Sequence, residues 1–208
     1  MSDKIKILMV NGSPHEHGST DRALKEMQKV FEQNGVDSEI FWLGTKPIGG
    51  CIACNGCLTT KRCVFQDKVN EFLDKCDNAD GFVFASPVHY AGISGSLTGF
   101  MDRAFYGKHN LFRLKPACAV VSARRMGTTS AIDIINKYFT IAEMPIVSST
   151  YWNGVHGRNA QETVSDEEGL QTVRNLASNM VWLARCIKNS GIEKPIAETP
   201  VVKTNFIR

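Results

Sequence analysis

Five times along the chain a short apolar run gives way to a turn and then to an amphipathic stretch, and this alternation limits the fold more than any other feature. Lys4 to Val10 is the first run, and it stops at the turn formers Asn11-Gly12-Ser13-Pro14. From Ser19 the spacing becomes helical. Ala23, Leu24, Met27, Val30 and Phe31 share one face, with Ser19 or Thr20 as N-cap and Gly35 as the stop. The same signals predict strands over Asp37–Leu43, Gly81–Ala85, Pro116–Val121 and Pro145–Thr150. They predict helices over Asp67–Cys76, Ser94–Tyr106 and about Thr128–Ala142. A last helix is marked by Leu170, Val173, Leu176, Ala177, Met180, Val181, Ala184 and Ile187 at steps of three and four. Strands alternating with helices imply right-handed crossovers and a parallel sheet covered on both faces. The expected fold is therefore α/β: a doubly wound five-stranded parallel sheet of order 2-1-3-4-5, with a long cysteine-rich loop inserted after strand 2. Its ligands bind beyond the strand C-termini, at the switch point.

A length of 208 residues suits one domain, expected over 1–190 with the inserted loop at 46–66. Residues 191–208, with Pro195 and Pro200, lack helical periodicity and read as a C-terminal arm. A composition of 43% hydrophobic and 22% charged residues excludes intrinsic disorder. The net charge is +3 and the basic residues are scattered, so no nucleic-acid partner is expected. Runs such as Ile7–Val10 and Ala117–Val121 fall far short of the ~18–20 residues that span a bilayer, so no membrane partner is expected either. Met1 to Lys6 shows no secretory h-region, which makes the cytoplasm the expected compartment. Seven cysteines in a reducing compartment suggest metal, cofactor or free thiols rather than disulfides.

Three loops then fall on one edge of the predicted sheet. Gly12 to Thr20 offers backbone amides, hydroxyls and a helix N-terminus, a natural anion site, though a plain capped turn has the same residues. It has neither the dinucleotide glycine pattern nor a P-loop, so a phosphate monoester suits it better than a pyrophosphate. The loop Ser86 to Ser94 supplies an imidazole, an aromatic ring and backbone groups against which a flat conjugated ring can lie; the alternative is an ordinary surface turn. Ser122 to Thr129 adds amides and the pair Arg124-Arg125, which either meets an anionic ligand or is simply solvated. His17, His109 and His156 form no ligand pair, and no Gly-x-Ser-x-Gly elbow supports hydrolase chemistry.

The inserted loop carries Cys51, Cys54, Cys57 and Cys63, spaced C-x2-C-x2-C-x5-C, where average frequency would place fewer than one cysteine. C-x2-C-x2-C is the spacing with which bacterial ferredoxins hold most of a cubane. A [4Fe-4S] cluster, four reduced thiols and a zinc ion remain the alternatives, although zinc pairs commonly sit on separate knuckles. Cys76, Cys118 and Cys186 fall in predicted elements and read as small hydrophobes.

Gly-Ser-Pro followed by Gly-Ser-Thr, Ser-Pro-Val-His-Tyr running into Ser-Leu-Thr-Gly-Phe-Met-Asp-Arg (96–103), and Tyr151-Trp152-Asn153 carry a family likeness over about residues 4–190. The chain resembles the flavodoxin-like NAD(P)H-dependent FMN reductases, especially the iron-sulfur flavoprotein branch, whose cluster motif the cysteine loop is similar to. The resemblance implies an FMN phosphate on Ser13, Ser19 and Thr20, with residue 15 in the same clamp. It implies a ring against Pro87, Val88, His89 and Tyr90, with Ala91 and Gly92 in the same loop, and contacts from Ser122, Arg125 and Gly127. His15 departs from the arginine that relatives commonly carry, which implies a weaker clamp or one favoured at mildly acidic pH. Also implied are NAD(P)H as co-substrate, a small-molecule electron acceptor, and a homodimer or homotetramer that completes the pocket. A redox or metal sensor of the same fold is the alternative.

Overall fold

The computed structural model describes residues 4–199 together with Val202 and Thr204. The expectations for Met1–Asp3 and for the rest of the arm beyond residue 199 lie outside the described residues. Five parallel strands, β1 (Lys6–Asn11), β2 (Asp37–Trp42), β3 (Gly81–Pro87), β4 (Ala117–Ala123) and β5 (Gly154–His156), form one sheet of order β2-β1-β3-β4-β5. The helices are α1 (Ser19–Gln33), α2 (Gly56–Thr60), α3 (Lys68–Cys76), α4 (Gly95–Lys108), α5 (Thr128–Ile141), α6 (Ala160–Thr163) and α7 (Glu167–Asn189). Among the described residues no helix is long and apolar enough to cross a membrane.

Because successive strand residues point to opposite faces, each strand serves two cores. Leu8, Val10, Phe82, Phe84, Ala119 and Val121 face α3, α4 and α5, while Ile7, Met9, Val83, Ala85, Cys118 and Val120 face α1 and α7. The two cores differ in kind. The first is aromatic, with Phe72 in edge contact with Phe84 and Phe100 and with Phe105 stacked on Phe112 at 4.3 Å. The second is mostly aliphatic, with Phe31 as its aromatic member. Burial pushes the thiols of Cys76 and Cys118 up, as befits small hydrophobes, whereas Cys186 on α7 is exposed.

The predicted fifth strand needs correction. Pro145–Thr150 makes one bridge to the sheet, Ile146 beside Ala117, and then leaves it. Two side chains and one backbone carbonyl of α7 take up the departing groups: Asn179 donates to the Ser148 carbonyl, Asn175 to Thr150 Oγ1, and the Thr172 carbonyl accepts from Ser149 Oγ. Pairing resumes where Val121 N donates to the Asn153 carbonyl, and β5 follows at 154–156. The apolar run is thus the front half of an interrupted edge strand.

Across the aliphatic face, Glu26 of α1 accepts from Arg174 of α7 at 2.8 Å, from Arg22 at 2.8 Å and from Lys29 at 3.2 Å. Burial works against its charge, but these three cations outweigh it and hold the carboxyl below its ordinary value. A depressed folded pKa adds stability that is complete above the unfolded value, near 4.3, and is lost as pH falls through the folded one. Glu26→Gln is therefore expected to lose about 1–2 kcal/mol of unfolding free energy at pH 7. Urea denaturation is expected to show that deficit shrinking below about pH 4, as the wild-type carboxylate itself becomes protonated.

Candidate functional site

The C-terminal ends of β1, β3, β4 and β5 open onto one cleft of about 760 Å³. That size falls within the range of small-molecule sites. Its lining includes Ser13, His15, Ser19 and Thr20 after β1, Pro87, Val88 and His89 at the end of β3, and Ser122 on β4. Tyr90, Ala91, Gly92, Arg125 and Gly127 lie outside that lining, although Gly127 packs behind it. A side chain at Gly127 would meet Ala91 Cα at 2.9 Å and Val88 Cγ1 at 3.0 Å. The basic residue of the third loop that lines the cleft is Arg124 rather than Arg125.

The first loop is braced from beneath. Buried Asn11 accepts from Ser13 N at 3.0 Å and donates to the Glu16 carbonyl at 3.2 Å, and Ser13 Oγ accepts from His15 N at 3.1 Å. The N-cap of α1 is Gly18, which has no side-chain oxygen to offer, so the first-turn N–H groups remain for an anion beside the loop hydroxyls. Thr20 and Ser122 are both buried, and their hydroxyls hydrogen-bond each other at 2.8 Å across the cleft floor. His15, His17, Arg124 and Arg158 bring cationic or titratable groups to the rim, against one carboxylate, Glu16.

The second loop is a strained hairpin. His89 and Gly92 exchange two backbone hydrogen bonds of 2.9 Å, and between them Tyr90 and Ala91 hold φ of 50° and 59°. Two positive φ values in succession describe a type I′ turn, normally made with asparagine and glycine, so these residues cost roughly 1–2 kcal/mol each. Val88 N donates to the Ser122 carbonyl and Ser130 Oγ to the Ala91 carbonyl, which tie the turn to the third loop.

Two parts of the cleft escaped the sequence reading. Trp42 closes β2 with its indole in the lining and its Nε1 donating to the Ser13 carbonyl at 2.8 Å. In the sequence it looked like one more apolar strand residue. Gly157, Arg158, Asn159, Ala160 and Gln161 form a fourth wall after β5, where Ser19 Oγ donates to the Gly157 carbonyl. This wall was hidden by the misplaced fifth strand. Its signal is the N-cap residue Asn159, which accepts from Glu162 N, while Glu162 reaches back to accept from Arg158 N.

The four loop cysteines line a second, smaller pocket, together with Ile52, Val64, Phe65, Arg103 and Tyr106. Ala53, Asn55 and Lys61 take left-handed backbone angles, and the chain curls back on itself around the short helix α2. Gly99 lets the root of the loop rest on α4, for a Cβ there would stand 2.7 Å from the Ile48 carbonyl oxygen. Buried Asn70 clamps Cys63 by its backbone, accepting from its N–H and donating to its carbonyl, both at 3.0 Å. Arg103, only 4% exposed, donates through Nε to Cys63 Sγ at 3.2 Å and through Nη1 and Nη2 to Asp67 at 2.7 and 2.8 Å. Burial opposes its charge, but the bonds to Asp67 and Cys63 prevail and hold the guanidinium above its ordinary pKa. Among the described residues no three His, Cys, Asp or Glu side chains stand close enough to hold a single metal ion. A cubane spreads its four thiolates wider than the roughly 3.8 Å that 2.3 Å bonds impose around a tetrahedral zinc.

Residues 5–158 match the family described as NADPH-dependent FMN reductase. An iron-sulfur flavoprotein of Methanocaldococcus jannaschii is 30% identical over 192 residues, covering 88% of this chain and 100% of that one. One from Methanosarcina thermophila is 25% identical over 191 residues, covering 89% and 98%. Among solved structures, RosB with bound 8-demethyl-8-formylriboflavin-5'-phosphate superposes with a TM-score of 0.72 at 12% identity, over 98% of this chain and 96% of that one. A flavodoxin, WrbA-like protein from Agrobacterium tumefaciens gives 0.64 at 14% identity, over 88% and 98%. These two superpositions are evidence of the fold alone. Together, the match over most of the chain and the parallel sheet with its open edge establish that this protein belongs to the NADPH-dependent FMN reductase family.

Proposed function

We propose that the chain binds one FMN per subunit and passes electrons from NAD(P)H or a reduced carrier to a small-molecule acceptor, such as a quinone, a metal complex, a nitro compound, free flavin or oxygen. The observation that carries this reading is the shape and chemistry of the cleft. Hydroxyls and uncapped amides gather at Ser13–Thr20 for a phosphate, and Trp42, Pro87, Val88 and His89 wall a slot for a flat ring. Bound FMN supplies hydride or single-electron acceptance at N5, so no side chain need act as acid, base or nucleophile. The chain's own work is to hold, orient and shield. Ser13, Ser19 and the α1 amides fix the phosphate end, Arg124 and Arg158 add positive charge that His15 alone would supply only on protonation, and the His89–Gly92 hairpin sets the ring's depth. The open side of the cleft would admit a nicotinamide.

The second pocket suits a [4Fe-4S] cluster on Cys51, Cys54, Cys57 and Cys63. Four thiols gathered on one pocket with Ile52, Val64 and Phe65 are the donors an iron–sulfur centre uses. The pocket lies against Arg103 and Gly107, about 12–18 Å along α4 from the Gly95 end that borders the flavin loops. A homo-oligomer that set this pocket beside the cleft of a second subunit would shorten that span. All seven cysteines are free, which fits a reducing compartment such as the cytoplasm.

One anaerobic preparation tests the reading. Saturable quenching of FMN fluorescence and bleaching of the bound flavin by NADPH are expected, with about four iron and four sulfide per chain. Light scattering on the same sample is expected to give a dimer or tetramer. A protein that quenches no FMN at saturation overturns the flavin assignment. Stoichiometric zinc with no flavin reduction identifies a metal sensor instead, and a monomer holding a full equivalent of FMN refutes the shared pocket.

A further inference from the structure

We infer that Arg103 is a positioning residue for the redox centre of the cysteine pocket: it holds a fixed positive charge on Cys63 Sγ that, balanced by Asp67, sets how readily the centre accepts an electron. The inference rests on the reading that the loop carries an iron–sulfur cluster.

Each part of the guanidinium is accounted for. Nε faces Cys63 Sγ at 3.2 Å, Nη1 meets Asp67 at 2.7 Å and the Gly49 carbonyl at 3.3 Å, Nη2 meets Asp67 at 2.8 Å, and Cζ lies 4.9 Å from the centroid of the Phe65 ring. Nothing about keeping Cys63 in place demands this. Asn70 already fixes its N–H and carbonyl, and Asp67 needs no arginine to cap α3, where its Oδ1 accepts from Val69 N. What Arg103 adds is charge and a donated hydrogen bond at the sulfur. Reduction of a cluster by one electron adds a negative charge, so a buried cation bonded to a ligand sulfur stabilises the reduced form and raises the potential. Asp67, behind the guanidinium, pulls in the opposite sense. A lysine would keep the charge but lacks the fork that serves Cys63 and Asp67 at once.

The opposed signs provide the test. The full-length protein is reconstituted anaerobically with iron and sulfide, and its midpoint potential is read by redox titration followed by electron paramagnetic resonance. Arg103→Gln is expected to move the potential down by at least a tenfold change in the one-electron equilibrium, 59 mV. Asp67→Asn, which keeps an oxygen for the cap on α3, is expected to move it up. Arg103→Lys is expected to recover at least half of the loss. Damage to the pocket alone would move Arg103→Gln and Asp67→Asn in the same direction, and that result, or no shift in either, overturns the inference. Should Arg103→Gln fail to load four irons, the sign of the Asp67→Asn shift decides. A wild-type chain that takes up no iron refutes the cluster reading and this inference together, whereas a loaded wild type with unmoved variants refutes the inference alone.

Discussion

Gly12→Val is expected to cost about 3 kcal/mol or more of stability and to abolish FMN binding. Gly12 stands where the end of β1 meets both β3 and the start of α4. Its N–H donates to the Ala85 carbonyl at 2.8 Å, and its own carbonyl accepts from Ser94 Oγ at 2.7 Å. A Cβ here would lie 2.9 Å from the Ala85 carbonyl oxygen and 2.9 Å from Leu97 Cβ. The first neighbour is backbone of a central strand and the second a fully buried side chain, so neither has room to retreat. Any adjustment spreads into the Ser13–Thr20 loop on one side and the His89–Gly92 hairpin on the other, the two halves of the proposed flavin grip. Urea denaturation and quenching of FMN fluorescence measure both effects on the same sample. Gly12→Ala, with one added carbon, is expected to fall between. A valine variant that keeps wild-type stability and affinity would contradict the packing described for this corner.

Cys57→Ala is expected to have an equally large but narrower effect. Iron and sulfide are expected to fall from about four per chain to a small residue, while the FMN dissociation constant stays within about twofold. Cys57 sits on the short helix α2 against α4, in ordinary contact distance of the place where Gly107 lacks a side chain. It is half-buried, and its removal leaves the Ser13–Thr20, Pro87–His89 and Ser122–Arg124 walls of the cleft untouched. Colorimetric iron and sulfide assays beside a flavin titration separate the two centres. Iron content unchanged from the wild type would remove Cys57 from the ligand set.

Much of this architecture was legible from periodicity. Leu8 and Val10 alternate with Ile7 and Met9, and the helix between Ser19 and Gly35 shows its buried face at steps of three and four, because these patterns answer directly to burial. The fifth strand was not legible in the same way. Pro145–Thr150 has the composition of a strand, yet what decides its path is a set of asparagine side chains thirty residues later, and tertiary hydrogen bonds of that kind leave no local trace. The site followed the same rule. The loops 12–20, 86–94 and 122–129 could be brought to one edge because the strand ends of a doubly wound sheet converge there, whereas Ser13, Ser19, Pro87 and Ser122 were singled out within them by the family resemblance. Trp42 was missed because an indole that ends a strand cannot be told by sequence from one buried within it. Arg158 was missed as a consequence of the strand error. The partnership of Arg103 with Cys63 spans forty residues and was equally hidden, although both residues lay inside quoted motifs.

The cysteine loop leans on the outer surfaces of α3 and α4 and takes no part in the sheet's hydrogen-bond ladder. Such an attachment behaves like a plug-in module. A change in its length would fall on its own anchors, Asn70 and Arg103, and leave the strand pairing beneath the nucleotide cradle intact.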